Sequence, residues 1–550
     1  MHRHPARSPL LWTTVFGLGL ALACTGGTYD HSGSAGWGDE SRTGEDHSSD
    51  DTGAQEEPQD TSRADTADSA WIDTAVEEVC DDENPVILYL SPDDSNSMSS
   101  AAQARAAVLG GWGDLAYVHI RGWEFLNYYD FAYPPAAEGE LAVHLDLMPM
   151  EEGNDEDWLL QIAVSSPTED WNDRPFMNLT FVVDTSGSMT GEPIELAREI
   201  LLATDAALRP GDYVSVVTWN TTQNVVLANH LYTGPLDRSL ENAAGSLIAS
   251  GATDLYSGLV KGYELARASF SAERINRVVL VSDGGANVGV TSLDLIGEQA
   301  DDQDEDGIYL VGAGVGSPST YFDALMDAVT DAGKGASVFI DSTDEAHRIF
   351  EERFVNTFGV AGRDVQLQLV LPPGMEIVHF SGEGYSADPS EIDPQHIAPN
   401  DAMVFYNQLH TCAPDLLEDF APVQVTVRWE DVMTREPREA GLRGTWGQLL
   451  AAEHDLLLKG RAIDAYAGAL EQLAGVYSPP AREDILAGAR TALTDAEAAN
   501  PGDTDLAEVR SVLEALGLEP VALSSWQRLS RAARRTQILT AWEERGLGGR

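Results

Sequence analysis

The hexapeptide Asp184-Thr185-Ser186-Gly187-Ser188-Met189 offers one carboxylate and two hydroxyls at every second residue, directly after the apolar run Leu179-Thr180-Phe181-Val182-Val183. A glycine-permitted turn at the carboxyl end of a strand would aim such a set at one point in space. Hard oxygens of this kind suit Mg2+, which wants octahedral geometry and keeps water or one exogenous ligand in its shell. Alone, the hexapeptide is equally a turn that satisfies its own backbone. Two other loops carry matching chemistry: Thr253 in Ser250-Gly251-Ala252-Thr253, and Asp283 after Arg277-Val278-Val279-Leu280-Val281-Ser282.

The elements that must position these residues follow a pattern that begins at Asn178. The run 179–183 is strand, Pro193 to Leu208 is helix, and Tyr213-Val214-Ser215-Val216-Val217 is strand. Helices are expected around Leu236 to Ile248 and over Leu255 to Phe270; strands at 277–282 and 307–312; a helix from Tyr321 to Asp331; a strand at 337–340; and a closing helix from Glu345 to Phe358. Continuous apolar strands separated by crossover helices predict an α/β fold, a doubly wound, mostly parallel sheet covered on both faces. Ligands of such sheets bind beyond the carboxyl ends of the strands, the edge where Asp184, Thr253 and Asp283 fall.

Either side of this region the periodicity is two. Val86 to Leu90, Leu141 to Leu147, Trp158 to Val164, Val365 to Leu371, Met403 to Tyr406 and Val423 to Trp429 read as strands of an antiparallel sandwich, which the segments before 170 and after 362 could share. The aromatic stretch Glu124 to Pro134 could be imagined as a stacking surface, but core packing is the commoner fate of such rings. From Gly444 onward Leu- and Ala-rich stretches read as helices.

Asp184-Thr185-Ser186-Gly187-Ser188, Gly251-Ala252-Thr253-Asp254 and Ser282-Asp283-Gly284 together resemble the metal-ion-dependent adhesion site of von Willebrand factor type A domains. The resemblance implies that Ser186 and Ser188 coordinate a divalent cation directly and that Asp184, Thr253 and Asp283 complete the site. It further implies Mg2+, or Mn2+ or Ca2+ in its place, with one open position for an Asp or Glu of a protein partner. The flanks resemble a bacterial subfamily of exported proteins with this domain. The expected organisation is a lipoprotein signal at 1–24, a disordered acidic linker at 25–82 and a β-rich domain associated with the type A domain at 83–171. The type A domain follows at 172–358, then a sandwich-like domain at 359–440 and a helical region at 441–550.

Charge and termini narrow the functional classes. The chain carries 33 Lys+Arg against 90 Asp+Glu, a net −57, which would repel phosphate backbones and argues against a nucleic-acid partner. Arg3, His4 and Arg7 precede the apolar run Leu10 to Ala23, which is short for a membrane span and ends in small residues before Cys24. This resembles a bacterial lipoprotein signal with Cys24 as the lipidated residue, so the expected location is the cell envelope; an ordinary secretory signal and a secreted protein is the alternative. The stretch from Thr25 to about Ala75 is poor in large apolar residues and cannot offset its ordering entropy. Cys80 and Cys412 then remain to pair in an exported compartment, with two free thiols as the alternative. Asp302 to Gly307 matches the first half of a calcium loop, but Ala313 stands where the bidentate Glu is needed.

The expected function is therefore metal-dependent protein binding or adhesion, not catalysis. A metal-assisted hydrolase is one alternative: no His or Glu lies beside the hexapeptide, but Asp254, in the second loop, and Glu192 are near enough to the metal loops to keep it open. A structural envelope protein, stabilised but not armed by its metal, is the other.

Overall fold

Period-two burial and period-3.6 burial divide the chain as the hydrophobic pattern predicts, and the computed structural model shows how the two kinds of element share one core. It describes residues 80–517 except 92, 94, 111–114, 285–306 and 477. The export signal with Cys24, the linker up to residue 79, the acidic loop at 302–306 and residues 518–550 lie outside the described residues.

Strand β1 (Val86–Ser91), helices α1 (Ser99–Leu109) and α2 (Gly122–Tyr128), and strands β2 (Ala142–Pro149) and β3 (Asp157–Ser165) come first. The alternating region runs β4 (Phe176–Asp184), α3 (Glu192–Ala207), β5 (Tyr213–Trp219), β6 (Gln223–Leu231), α4 (Ser239–Gly245) and α5 (Leu255–Ala268). It continues through β7 (Arg274–Ser282), β8 (Tyr309–Val315), α6 (Asp323–Ala332), β9 (Ser337–Ile340), α7 (Thr343–His347), a π-helical turn (Arg348–Glu352) and α8 (Phe354–Phe358). Then come β10 (Gly362–Leu371), β11 (Met375–Ser381), β12 (Gly384–Ser386), β13 (Gln395–Ile397), β14 (Ala402–Thr411), β15 (Pro422–Glu430) and β16 (Pro437–Thr445). Helices α9 (Trp446–Leu450), α10 (Asp455–Leu473), α11 (Pro479–Ala499) and α12 (Thr504–Gly517) finish the described chain.

The alternating region forms one sheet in the order β6-β5-β4-β7-β8-β9. All its neighbours are parallel except β6, which runs antiparallel to β5 at the edge. From β4 the chain moves outward to β5 and β6, then returns to lay β7 on the other side of β4. The crossovers therefore part between β4 and β7, which opens a crevice at their carboxyl ends. Strand β6 did not stand out in the sequence because its residues are mostly exposed or half-buried and its pairing slips register twice. The helix expected over Glu345 to Phe358 is interrupted at the π turn, where the Arg353 N–H donates to the Arg348 carbonyl five residues back at 2.8 Å.

The sandwich is one body built from both flanks. Strand β1 pairs with β10 and β12, while β3 lies between β14 and β2, so segments 83–171 and 359–440 interleave in two sheets instead of forming separate domains. Alternation in β3 and β14 sends Leu160, Ile162, Met403 and Phe405 into the space between the sheets, where Leu367, Leu369, Val425 and Val427 meet them. Their neighbours Leu159, Ala163, Val404 and Tyr406 face the opposite way, into a core shared with Leu457, Ile463 and Tyr466 of α10. The aromatic segment is packed there too: Phe125 and Tyr466 meet edge to face at 5.4 Å. No helix among the described residues is long and apolar enough to cross a membrane.

Candidate metal centre

Asp184 is the last residue of β4 and Asp283 the first after β7, so the topology alone sets two carboxylates side by side at the crevice. Asp184 is fully buried, with Oδ1 accepting from the Ser186 N–H at 2.7 Å and Oδ2 from the Ser282 hydroxyl at 2.8 Å. Neither donor brings a positive charge. Burial, together with the negative charge of Asp283, pushes the Asp184 carboxyl up to about 7 against the pull of the Ser186 hydrogen bond.

The turn after Asp184 is short and tight. The Ser186 and Ser188 hydroxyl oxygens are 2.9 Å apart; Ser186 is buried and Ser188 exposed. The second loop is stitched to this one by backbone bonds: Gly187 N–H to the Gly251 carbonyl at 3.1 Å, and Ser250 N–H to the Thr185 carbonyl at 2.7 Å. Gly251 has φ +85°, and a Cβ there would stand 2.8 Å from Thr221 Oγ1, so the loop closes only with glycine.

Thr253, 2% exposed, stands just ahead of α5. That helix can seat closely on β4 and β5 because a side chain at Gly262 would meet Val182 Cγ2 at 2.2 Å and one at Gly258 would meet Trp219 Cγ at 2.6 Å. Close seating aims the start of α5, and Thr253 with it, at the carboxyl ends of the strands. Asp254 is occupied as the N-cap of α5, accepting from the Ser257 N–H at 3.3 Å.

The structure therefore gathers the three loops carrying Asp184, Ser186, Ser188, Thr253 and Asp283 at one sheet edge. The donor set is two carboxylates and three hydroxyls. Among the described residues no group of three His, Cys, Asp or Glu could hold a metal by itself. A cation here would thus depend on the hydroxyl oxygens, a chemistry that fits hard divalent ions and excludes thiolate or imidazole sites. A buried carboxylate whose hydrogen-bond donors are both neutral, with a second carboxylate on the neighbouring loop, is an environment that a divalent cation relieves, and on that observation the residues fit the ion.

Sequence reasoning missed Ser282, whose hydroxyl ties the first loop to the third, and Thr221, whose hydroxyl accepts from the Ala252 N–H at 3.0 Å. The signal for Ser282 was its place between an apolar strand and Asp283. Thr221 left none.

Residues 178–352 match the family model described as von Willebrand factor type A domain. Over 275 residues the chain is 28% identical to the uncharacterized protein YfbK of Escherichia coli (strain K12), which covers 48% of this chain and 47% of that protein. The chain thus spans about half the length of that relative. Over 203 residues it is 27% identical to the inter-alpha-trypsin inhibitor heavy chain H1 of Sus scrofa, covering 35% of this chain and 22% of that one. A solved structure, a von Willebrand factor type A protein from Catenulispora acidiphila, aligns at 15% identity over 70% of this chain and 98% of that one, with a TM-score of 0.44. Domains of this type generally mediate contacts between proteins, often with a metal.

Proposed function

We propose, from the premise that residues 178–352 are a von Willebrand factor type A domain, that this chain is a metal-dependent protein-binding module of the bacterial cell envelope. One Mg2+, or Mn2+ or Ca2+ in its place, would be held by Asp184, Ser186, Ser188, Thr253 and Asp283. Lipid on Cys24 and the linker at 25–82 would tether the folded part to the membrane. The observation that carries the reading is the Asp184 carboxyl, buried at the crevice beside the Asp283 charge and bonded only to neutral donors.

When bound, the ion supplies positive charge that two carboxylates bring close to neutrality, while neutral hydroxyl ligands leave it attractive to one further anionic oxygen. The protein's own part is to hold five oxygens on three bonded loops. An acidic side chain from a partner protein is the ligand that this arrangement favours. The net charge of −57 weighs against a polyanionic one.

A hydrolase would need a general base within hydrogen-bond reach of a reacting water. Of the two candidates the sequence offers, Asp254 is engaged in capping α5, which counts against that reading, and Glu192 stands in the first turn of α3.

Calorimetric titration of the full chain with Mn2+ tests the site: one ion bound by wild type and none by Asp184→Ala is the expected result. Pull-down from envelope extract, with and without chelator, tests the use of the site. Capture that persists in excess chelator, or in Asp283→Ala, would remove the adhesion reading. A melting shift with Mg2+ but no chelator-sensitive partner would leave the ion a purely stabilising role.

A further inference from the structure

Asp323, at the start of α6, has both carboxylate oxygens bonded to a segment outside the type A domain. Oδ1 accepts from Gln103 Nε2 of α1 at 2.7 Å, and Oδ2 from Arg121 Nη2, just ahead of α2, at 2.6 Å. Arg121 also reaches Asp327 Oδ2 at 2.8 Å and Glu124 Oε1 at 3.4 Å. Gln103 and Arg121 are both buried, and Gln103 is held in turn by Ser99 Oγ at 2.8 Å.

The residue before Asp323 touches the third metal loop. The Phe322 N–H donates to the Asp283 carbonyl at 3.1 Å. A Cβ on Gly284 would stand 2.7 Å from the Phe322 carbonyl oxygen, so the two backbones meet with no room for a side chain between them. Gly284 N–H donates to Ser282 Oγ at 3.0 Å, and the Ser282 hydroxyl donates to Asp184 Oδ2 at 2.8 Å. From the Arg121 guanidinium to Asp184, the connection is a continuous series of hydrogen bonds and short covalent segments.

We infer that Arg121 and Gln103 are positioning residues for the metal centre: by fixing Asp323 they fix Phe322, and through it the loop that carries Asp283. Affinity for a divalent cation is then set partly by α1 and the entry to α2, which lie outside residues 178–352. The inference rests on the metal-site reading above. Outer partners that orient metal ligands change affinity about 10- to 100-fold when removed.

A built-in control separates positioning from general stability. Arg105, on the same helix as Gln103, pairs with Asp341 at 2.8 Å, Glu345 at 2.9 Å and Glu508 at 3.1 Å. Its partners lie on other elements than the Asp283 loop.

The experiment is Mn2+ calorimetry on the full chain, with the metal-free melting temperature measured alongside, for wild type, Arg121→Gln, Arg121→Lys, Gln103→Leu and Arg105→Gln. The expected result is Mn2+ affinity about 10- to 100-fold weaker in Arg121→Gln. Gln103→Leu should weaken it in the same direction, Arg121→Lys should recover part of the loss, and Arg105→Gln should lower the melting temperature with affinity unchanged. Wild-type affinity in Arg121→Gln, or an equal loss in Arg105→Gln, overturns the inference and leaves the metal reading standing. A wild-type chain that takes up no Mn2+ overturns the metal reading itself. If Arg121→Gln does not fold, Gln103→Leu, which removes no charge, decides by the same rule.

Discussion

The Ser282 hydroxyl donates to Asp184 Oδ2 at 2.8 Å, a bond between the last residues of β7 and β4. It joins two of the three loops of the candidate metal centre through protein atoms alone. The same oxygen accepts from the Gly284 N–H, so Ser282 braces the backbone on both sides of Asp283.

Ser282→Ala removes that brace while adding no bulk to a buried position. Losing one neutral hydrogen bond costs about 1 kcal/mol of stability, so the fold should survive. Metal affinity should fall further, about 10-fold or more, because Asp184 loses the donor that orients its second oxygen. Calorimetry with Mn2+ on Ser282→Ala and Ser282→Thr checks this. The threonine variant keeps the hydroxyl and should stay near wild type; an alanine variant with undiminished affinity would show that Asp184 needs no such orientation.

The sequence made the central strands legible because buried parallel strands write themselves as unbroken apolar runs, and two of those runs lead into a carboxylate. Asp184 closes β4, and Asp283 follows β7. Strand β6 hid because none of its residues is buried, so it lacks the apolar run of its neighbours. That the two flanks could share a sandwich was legible, but which strands pair was not: Val86 pairs with Leu371 and Ala402 with Ser165, and contacts so distant in sequence impose no local pattern. Arg121 and Asp323, 202 positions apart, are invisible for the same cause. An ion pair leaves no periodicity, so the part of the centre that lies beyond its own loops could only be found in space.

His396 gives a prediction about acid. Burial, then the positive charges of Arg363, Arg277 and Lys334, push its imidazole down to about 3 from its ordinary 6.5. A depressed histidine is neutral in the folded chain, whereas the unfolded chain takes up a proton below 6.5. The contribution is therefore complete above that value and is lost progressively as pH falls toward 3. Glu124 and Asp401, each pushed up to about 7 by burial, act with the opposite sign: their folded forms hold protons that the unfolded chain releases, which favours the folded state as pH falls from 7. The net profile thus mixes both, and the difference between wild type and His396→Gln isolates the histidine. That difference should shift by about 2 kcal/mol between pH 7 and pH 5, against wild type at the acid end. Urea unfolding at the two pH values measures it, and parallel losses in both proteins would mean that His396 is not the group responsible.

Cys80 and Cys412 are bonded across a sequence separation of 332, with their Cα atoms 5.9 Å apart. The bond pins the start of the described chain to the corner between β11 and β14. There the Gly374 N–H donates to the Asp81 carbonyl at 2.8 Å, and the Cys412 N–H to the Gly374 carbonyl at 3.0 Å. A crosslink acts mainly by restricting the unfolded chain, and the effect grows only logarithmically with loop length. For a loop this long the double variant Cys80→Ser, Cys412→Ser should lose roughly 2–5 kcal/mol of stability in urea. Because β1 remains paired with β10 along five residue pairs, the native loss should be confined to fraying of the few residues before Val86. The bond closes the sandwich and not the sheet that carries Asp184, so Mn2+ affinity in the same variant should match wild type. Thiol labelling of the unreduced native protein decides the premise: a chain in which both cysteines react has no such crosslink, and the predicted stability difference would then vanish with it.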